Sequence, residues 1–193
     1  MRYAAHSLVL VILLLTANCG GDEYYVNKSH TLDSLGGVIN AMTSELEKTD
    51  TVFLQRSISR YGYYRQFVRQ QVSDTLSKNE ADVLQQFISA GERLGGFRVN
   101  RLTILARARL LNSQIQKLSA DARERTVDEE ALGSYIHQEL AETARLTDAG
   151  YGQQKIFFQA QKDFMNSLTP VEQLIMARNN GRLPTVIKDT VNF

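Results

Sequence analysis

VLQQFISAGERLGGFRVNRLTILARARLLNSQIQKL, which runs from Val83 to Leu118, carries the strongest structural pattern in this 193-residue chain. Apolar side chains recur every seven residues in two parallel series, and the single exception is Arg101. The first series is Val83, Ala90, Phe97, Ile104, Leu111 and Leu118, and the second is Phe87, Leu94, Arg101, Ala108 and Ile115. Two such positions per seven residues form the seam of a coiled coil, so the pattern predicts one long helix that packs against other helices.

Apolar residues at intervals of three and four predict helices on both sides of this stretch. The first extends from Leu32 to Val68, and its seam shifts by one position near Phe53. The third uses Leu132, Ile136, Leu140, Ala144 and Tyr151, and later Phe157, Ala160, Phe164 and Leu168. Gly150 and Gly152 predict a bend in it, and Gly95 with Gly96 predicts a kink or a close helix approach in the second helix.

The starts of the later helices are marked by capping patterns, in which a Ser or Thr precedes a Glu by three residues. The pattern occurs at Ser77 with Glu80, at Thr126 with Glu129, and at Thr169 with Glu172 after Pro170. The last of these predicts a short fourth helix that ends at Asn180 and Gly181.

The predicted fold class is therefore all-α. Three helices of about 40 residues would each be about 60 Å long, and short connections make neighbouring helices antiparallel. We expect an elongated antiparallel bundle of three long helices plus a short C-terminal helix, with coiled-coil-like packing. The bundle takes residues 31–181, and residues 182–193 form a C-terminal tail.

The beginning of the chain, MRYAAHSLVLVILLLTANC, has one Arg, an apolar run from Leu8 to Leu15, and then small or polar residues. This is the order of regions in a secretory signal peptide. A membrane span needs about 18 to 20 apolar residues, so a retained span is the weaker alternative. Residues 1–18 are predicted to be a signal peptide, and residues 19–30, which hold two glycines next to two acids, a flexible tether.

The residues before Cys19 resemble the lipobox of bacterial lipoproteins. Ala17 and Cys19 match it, whereas Thr16 and Asn18 stand where Leu and a small residue are usual. The resemblance implies that Cys19 is lipidated and anchors the chain in a membrane, and Gly20 implies the outer membrane, with the protein facing the periplasm or the cell surface. The alternative is ordinary signal-peptidase cleavage after Ala17, which leaves a lone thiol in an oxidising compartment.

Charge is balanced over the whole chain, with 22 basic and 21 acidic side chains, so nucleic acid is not expected as a partner. Residues 51–73 and 93–120 contain no acid, whereas residues 121–148 are mainly acidic. If the first two helices form a hairpin, position 56 lies opposite about position 94, and the basic stretches form one face for an anionic partner such as lipid headgroups, an envelope polymer or an acidic protein. Pairing of these arginines with the acidic third helix is the alternative. The candidate face contains Arg56, Arg60, Arg65, Arg69, Arg93, Arg98 and Arg101.

The sequence contains no catalytic motif. His137 is followed by Glu139 and Glu142, which are not three or four residues away and so do not share a metal with it. One cysteine builds no zinc site, and the glycine patterns of phosphate loops and nucleophile elbows are absent. We therefore expect a non-enzymatic protein without metal or cofactor; an enzyme built around His137 and carboxylates is a minor alternative.

SLTPVEQ, residues 167–173, resembles the LTxxQ motif of small helical periplasmic stress proteins related to Spy, although that family carries the motif twice. The resemblance implies a periplasmic chaperone or stress-response protein as an alternative function. The leading expectation is a lipid-anchored cell-envelope protein with a binding or structural role. Its oligomeric state stays open, because a long heptad closes either within one chain or between chains.

Overall fold

The computed structural model describes residues 21–72 and 76–184. Four helices follow one another: α1 Gly21–Glu47, α2 Thr51–Gln71, α3 Lys78–Glu124 and α4 Glu129–Arg178. These ranges contain no strand, so the predicted all-α class is confirmed, and the number of helices agrees roughly with the prediction. Within the same ranges, no helix combines the length and apolarity needed to cross a membrane. The predicted signal peptide, Cys19 and residues 185–193 of the predicted tail lie outside the described residues.

The heptad stretch forms α3, a single helix of 47 residues. Most of its seam is buried, including Ala90, Phe97 and Ile115. Arg101, the polar member of the seam, is half-buried and donates a hydrogen bond from Nε to the carbonyl oxygen of Leu46 at 2.9 Å. Since the last carbonyls of a helix have no partner within it, Arg101 caps the C-terminal end of α1.

The predicted capping box at the start of α3 is confirmed. The backbone amide of Ser77 donates to Glu80 Oε2 at 2.7 Å, and the amide of Glu80 donates to Ser77 Oγ at 3.4 Å. The hydrogen bond from the Ser77 hydroxyl lowers the pKa of the Glu80 carboxyl, because it stabilises the ionised form.

The prediction of one helix from Leu32 to Val68 is wrong. Helix α1 ends at Glu47, and a separate helix, α2, begins at Thr51. Asp50 starts α2: its backbone is extended, and its carboxylate accepts a hydrogen bond from the amide of Phe53 at 2.8 Å. The shift of the apolar seam near position 53 therefore marks the start of a second helix with its own buried row.

The predicted flexible tether is corrected over residues 21–30, which form the first turns of α1. The hydroxyl of Tyr24 donates to the carbonyl oxygen of Glu129 at 2.9 Å, and that of Tyr25 donates to Val127 at 3.0 Å. These bonds tie the beginning of α1 to the beginning of α4, so its polar sequence is ordered by long-range contacts rather than by an apolar period of its own.

The start of α4, which corresponds to the predicted third helix, differs from the prediction. The carboxylate of Asp128 accepts from the amide of Ala131 at 2.9 Å, so Asp128 is the N-cap of α4. Thr126, predicted as the cap, instead donates from its hydroxyl to the carbonyl oxygen of Asp121 at 3.3 Å.

The predicted break before a fourth helix is also absent, since Pro170 lies inside α4 and the helix continues to Arg178. Proline removes one backbone hydrogen bond, but Val171 and Ile175 are fully buried on the same helix. Their packing outweighs the local preference for a new start. The predicted end is confirmed: the amide of Gly181, at φ 75°, donates to the carbonyl oxygen of Met176 at 2.9 Å.

The described residues of the chain divide into two compact units. One takes residues 21–39 and 110–144, and the other takes residues 40–72, 76–109 and 145–184. The first unit is filled by aliphatic side chains, including Leu32, Leu35, Ile39, Leu111, Ile115, Leu132 and Ile136. The second contains aliphatic side chains and also a group of buried aromatic rings, which are Tyr61, Tyr64, Phe87, Phe97, Phe157 and Phe164.

Close contact at glycines does not occur where the sequence predicts it. A Cβ atom added at Gly95 or Gly96 would meet nothing within 4 Å. At Gly91, by contrast, it would overlap the ring of Tyr61, and at Gly150 it would overlap the side chain of Met42. The tight helix contacts of the second unit therefore lie at Gly91 and Gly150.

Candidate interaction surface

The seven arginines predicted to form one face all lie in the second unit, but they are divided among different neighbours. On α2, Arg60 lies 3.8 Å from Glu172 of α4, whereas Arg65 lies 3.8 Å from Glu92 of α3. Arg56 is four residues from Arg60, and Arg69 is four residues from Arg65, so each shares the side of its neighbour. The arginines of α2 therefore lie on two sides of the helix.

The arginines of α3 are engaged by groups of the same unit. Arg93 pairs with Asp163 at 2.8 Å, and Arg98 donates to the side chain of Gln55 at 3.2 Å. Arg101 caps α1, as described above. The Arg98–Gln55 hydrogen bond thus joins one residue of each basic stretch.

Arg56 and Arg69 differ from the other candidates. Both are exposed, and neither forms an ion pair with any residue in the described part of the chain. The acids that pair with the other arginines include Asp163 and Glu172, which lie outside the acidic stretch of residues 121–148. The internal-pairing alternative thus describes Arg60 and Arg93, whose acids come from elsewhere in α4, whereas Arg65 pairs with Glu92 of α3.

A tyrosine links the arginine of α2 to the acid of α4. The hydroxyl of Tyr64 donates to Glu172 Oε1 at 2.8 Å, and Arg60 lies beside the same carboxylate oxygen. Burial, together with the hydrogen bond to Glu172, raises the pKa of Tyr64 to about 12. Burial penalises the phenolate, and the nearby carboxylate repels it.

The Tyr64 phenol predicts a stability change at high pH. Its pKa is 10.0 in the unfolded chain and about 12 in the folded protein, so its contribution is fully present below pH 10 and is lost as pH rises through 12. The free energy of unfolding of the wild type should therefore fall between pH 10 and 12, in part because the contribution of Tyr64 is lost. We expect Tyr64→Phe to lack this part of the fall, measured by urea unfolding at a series of pH values. The exposed Tyr151→Phe variant is the control, and an unchanged pH dependence in Tyr64→Phe would contradict the prediction.

A groove of about 450 Å³ lies between α3 and α4 in the second unit. Its lining residues are Gln85, Gln86, Ser89, Arg93, Asp163 and Asn166. Asp163 accepts hydrogen bonds on both oxygens, from Arg93 at 2.8 Å and from Gln159 at 2.8 Å, and the bond from Arg93 lowers the pKa of this carboxyl. Because the arginine is already matched by Asp163, the groove does not offer an unpaired charge to an anionic ligand.

A row of exposed side chains lies along α4, and we call it the α4 outer row: Tyr151, Lys155, Phe158, Lys162 and Met165. Tyr151, Phe158 and Met165 are seven residues apart, and 46, 58 and 55% of their surface is exposed. Lys155 and Lys162, each four residues after an aromatic member, lie on the same side and are exposed.

Tyr151 is predicted from the sequence to lie in the buried seam of the third helix, and this prediction is wrong. Gly150 occupies the buried position instead, and Tyr151 is exposed. The pattern that reveals the α4 outer row is the seven-residue repeat of Tyr151, Phe158 and Met165, which runs beside the buried series that begins at Phe157.

The remaining candidate positions, His137 with its nearby acids and the LTxxQ-like stretch, lie on α4. His137 is exposed, and burial, followed by repulsion from Glu142, raises the pKa of Glu139. In residues 21–72 and 76–184, no three His, Cys, Asp or Glu side chains are grouped so that they could hold a metal ion. Leu168, Thr169 and Gln173 of the LTxxQ-like stretch lie on α4, where Leu168 is half-buried and the other two are exposed.

Comparison with protein-family models, with curated proteins and with solved structures finds no match to this chain.

Proposed function

We propose that the chain is a non-enzymatic, lipid-anchored protein of the bacterial cell envelope that acts by binding a partner or as a structural element. The observation that carries the proposal is the position of Cys19, the sole cysteine, directly after a signal-peptide-like leader and lipobox-like residues. Lipidation consumes the thiol that would otherwise stay unpaired in an oxidising compartment.

The start of α1 supports a close connection between anchor and bundle. Because the described part of α1 reaches back to Gly21, only Gly20 separates Cys19 from it in the sequence. A lipid on Cys19 thus holds the beginning of α1 next to the bilayer instead of at the end of a long tether. Gly20 after the cysteine favours the outer membrane, with the bundle in the periplasm or at the cell surface.

The test follows the fate of Cys19 in cells that express the full chain. We expect labelled palmitate to enter the wild-type protein and not Cys19→Ala, because the acyl chains need the cysteine. After a high-salt wash, which removes proteins held by charge, the wild type is expected in the membrane fraction and Cys19→Ala in the soluble fraction.

A matched variant sharpens this test. Thr16→Leu combined with Asn18→Gly restores the usual lipobox and is expected to speed processing without changing where the protein is found. Absence of palmitate from the wild type, or salt-resistant membrane attachment of Cys19→Ala, would overturn the proposed anchor.

We also propose that the helices of the second unit pack antiparallel in a coiled-coil-like manner. The supporting contacts join α2 and α3: Gln55 contacts Arg98, whereas Tyr61, further along α2, contacts Glu92, which is earlier in α3. Burial of the α3 heptad positions supports the same arrangement.

A Spy-like chaperone is the second candidate function. It is favoured by exposed apolar side chains on α4, the helix that carries the LTxxQ-like stretch, because such side chains bind unfolded clients. The discriminating measurement is light scattering by an unfolding client protein at a stoichiometric ratio. Suppressed aggregation supports the chaperone, and unchanged aggregation counts against it.

A further inference from the structure

We propose that the α4 outer row is a membrane-contact surface that binds anionic lipid headgroups. The choice of a lipid as the anionic partner rests on the proposed anchor at Cys19, which brings the chain to a bilayer. The row itself is defined by the geometry and charge of α4 alone.

The apolar members of the row are placed to enter the surface of a bilayer. Tyr151, Phe158 and Met165 follow one another every seven residues, which is about 10 Å along a helix. Single exposed apolar side chains are common, but these three fall in one line on one helix, with the two lysines of the row between them. Aromatic side chains are favoured at the boundary between headgroups and acyl chains, where one end of the ring stays hydrated.

The charged members of the row favour an anionic surface. Lys155 and Lys162 lie beside the apolar side chains and form no salt bridge with any described residue, although the charge of Lys162, after the hydrogen bonds from Arg93 and Gln159, helps to lower the pKa of Asp163. Asp163, next to Lys162 in sequence, has both carboxylate oxygens engaged by Arg93 and Gln159. Asp148, three residues before Tyr151, is the acid at the end of the row. Lysine side chains extend past an inserted apolar strip and reach lipid phosphates.

A second copy of the chain fits this surface less well. If two α4 outer rows met, Lys155 and Lys162 of one chain would face the same lysines of the other, and like charges in contact oppose association. An acidic protein matches the charge of the row, so the experiment must separate it from a lipid.

The test uses the full chain with Cys19→Ala, so that the anchor does not contribute to binding. We expect it to sediment with phosphatidylglycerol-containing vesicles, to sediment much less with phosphatidylcholine vesicles, and to lose binding as salt is raised. Lys155→Gln and Lys162→Gln should each lower the partition coefficient about fivefold. Phe158→Ser should lower it about tenfold.

Matched controls come from exposed residues of the first unit. Lys117→Gln, on α3, and Tyr135→Ser, near the beginning of α4, remove the same kinds of side chain outside the α4 outer row and should leave partition unchanged. Circular dichroism checks that each variant is folded, which is expected because all the substituted side chains are exposed.

Equal partition of row and control variants, or no binding to anionic vesicles, would overturn the proposal. A photo-crosslinking residue at position 158 that captures an acidic protein in cells, and no lipid, would also overturn it. If palmitate labelling fails but vesicle binding is intact, the proposed anchor at Cys19 is wrong and the proposed membrane-contact surface stands. If labelling succeeds but the protein does not bind vesicles, the anchor stands and the membrane-contact surface is wrong.

Discussion

Replacement of Phe87 by Ala is expected to lower the free energy of unfolding by about 3–5 kcal/mol. Phe87 is 0% exposed, and its ring centroid lies 5.1 Å from that of Phe164, 6.0 Å from Tyr64 and 6.1 Å from Tyr61. One ring of α3 therefore contacts aromatic rings of both α2 and α4. Removing it leaves a cavity that three large neighbours cannot fill without moving away from their own contacts.

The measurement is urea unfolding monitored by far-UV circular dichroism. Phe158→Ala is the matched control, because it removes the same ring from an exposed position and should change stability by less than about 0.5 kcal/mol. If Phe87→Ala does not fold, Phe87→Leu keeps most of the volume and should cost about 1 kcal/mol. Similar stability of Phe87→Ala and Phe158→Ala would show that the aromatic core is not centred on Phe87.

The burial of Phe87 is also an example of what could be predicted from sequence. Heptad positions depend only on the period of the helix, so Phe87, Phe97 and Ile115 could be assigned to the core without knowledge of their partners. Helix ends depend instead on single side chains. Asp50 separates α1 from α2 within a run whose apolar spacing stays compatible with one helix.

Packing between distant residues explains where local rules fail. The sequence around Pro170 favours a helix start, but the buried Val171 and Ile175 keep α4 continuous. In the same way, the absence of acids from residues 93–120 suggests a free basic face, yet Arg93 pairs with Asp163, which is 70 residues away along the chain. Such pairings have no local pattern and appear only when the helices are packed.

The α4 outer row could have been found earlier, because Tyr151, Phe158 and Met165 repeat every seven residues in plain sequence. The sequence alone does not indicate whether this series or the neighbouring series that begins at Phe157 is buried. The choice depends on Gly150, where the absence of a Cβ atom lets Met42 approach. That close contact turns Gly150 inward and leaves Tyr151 on the surface.

The second large effect on stability is expected at a glycine that another side chain contacts closely. Gly91→Ala should lower the free energy of unfolding by about 2 kcal/mol. Alanine is favoured over glycine in a helix by about 1 kcal/mol, so propensity alone predicts the opposite sign. At Gly91, however, the new methyl group would overlap the ring of Tyr61. The ring cannot move aside easily, because it packs near Phe87 and its hydroxyl donates to Glu92 at 3.4 Å.

Gly96→Ala is the matched control, since it lies on the same helix and an added Cβ there meets nothing within 4 Å. It should gain about 1 kcal/mol from helix propensity, so urea unfolding should show the two alanines moving stability in opposite directions. Stabilisation by both would mean that Tyr61 does not rest on Gly91. A loss of stability in Gly96→Ala would instead support the close helix approach that the sequence predicts at Gly95 and Gly96. It would mean that another part of the protein packs against the outer side of α3.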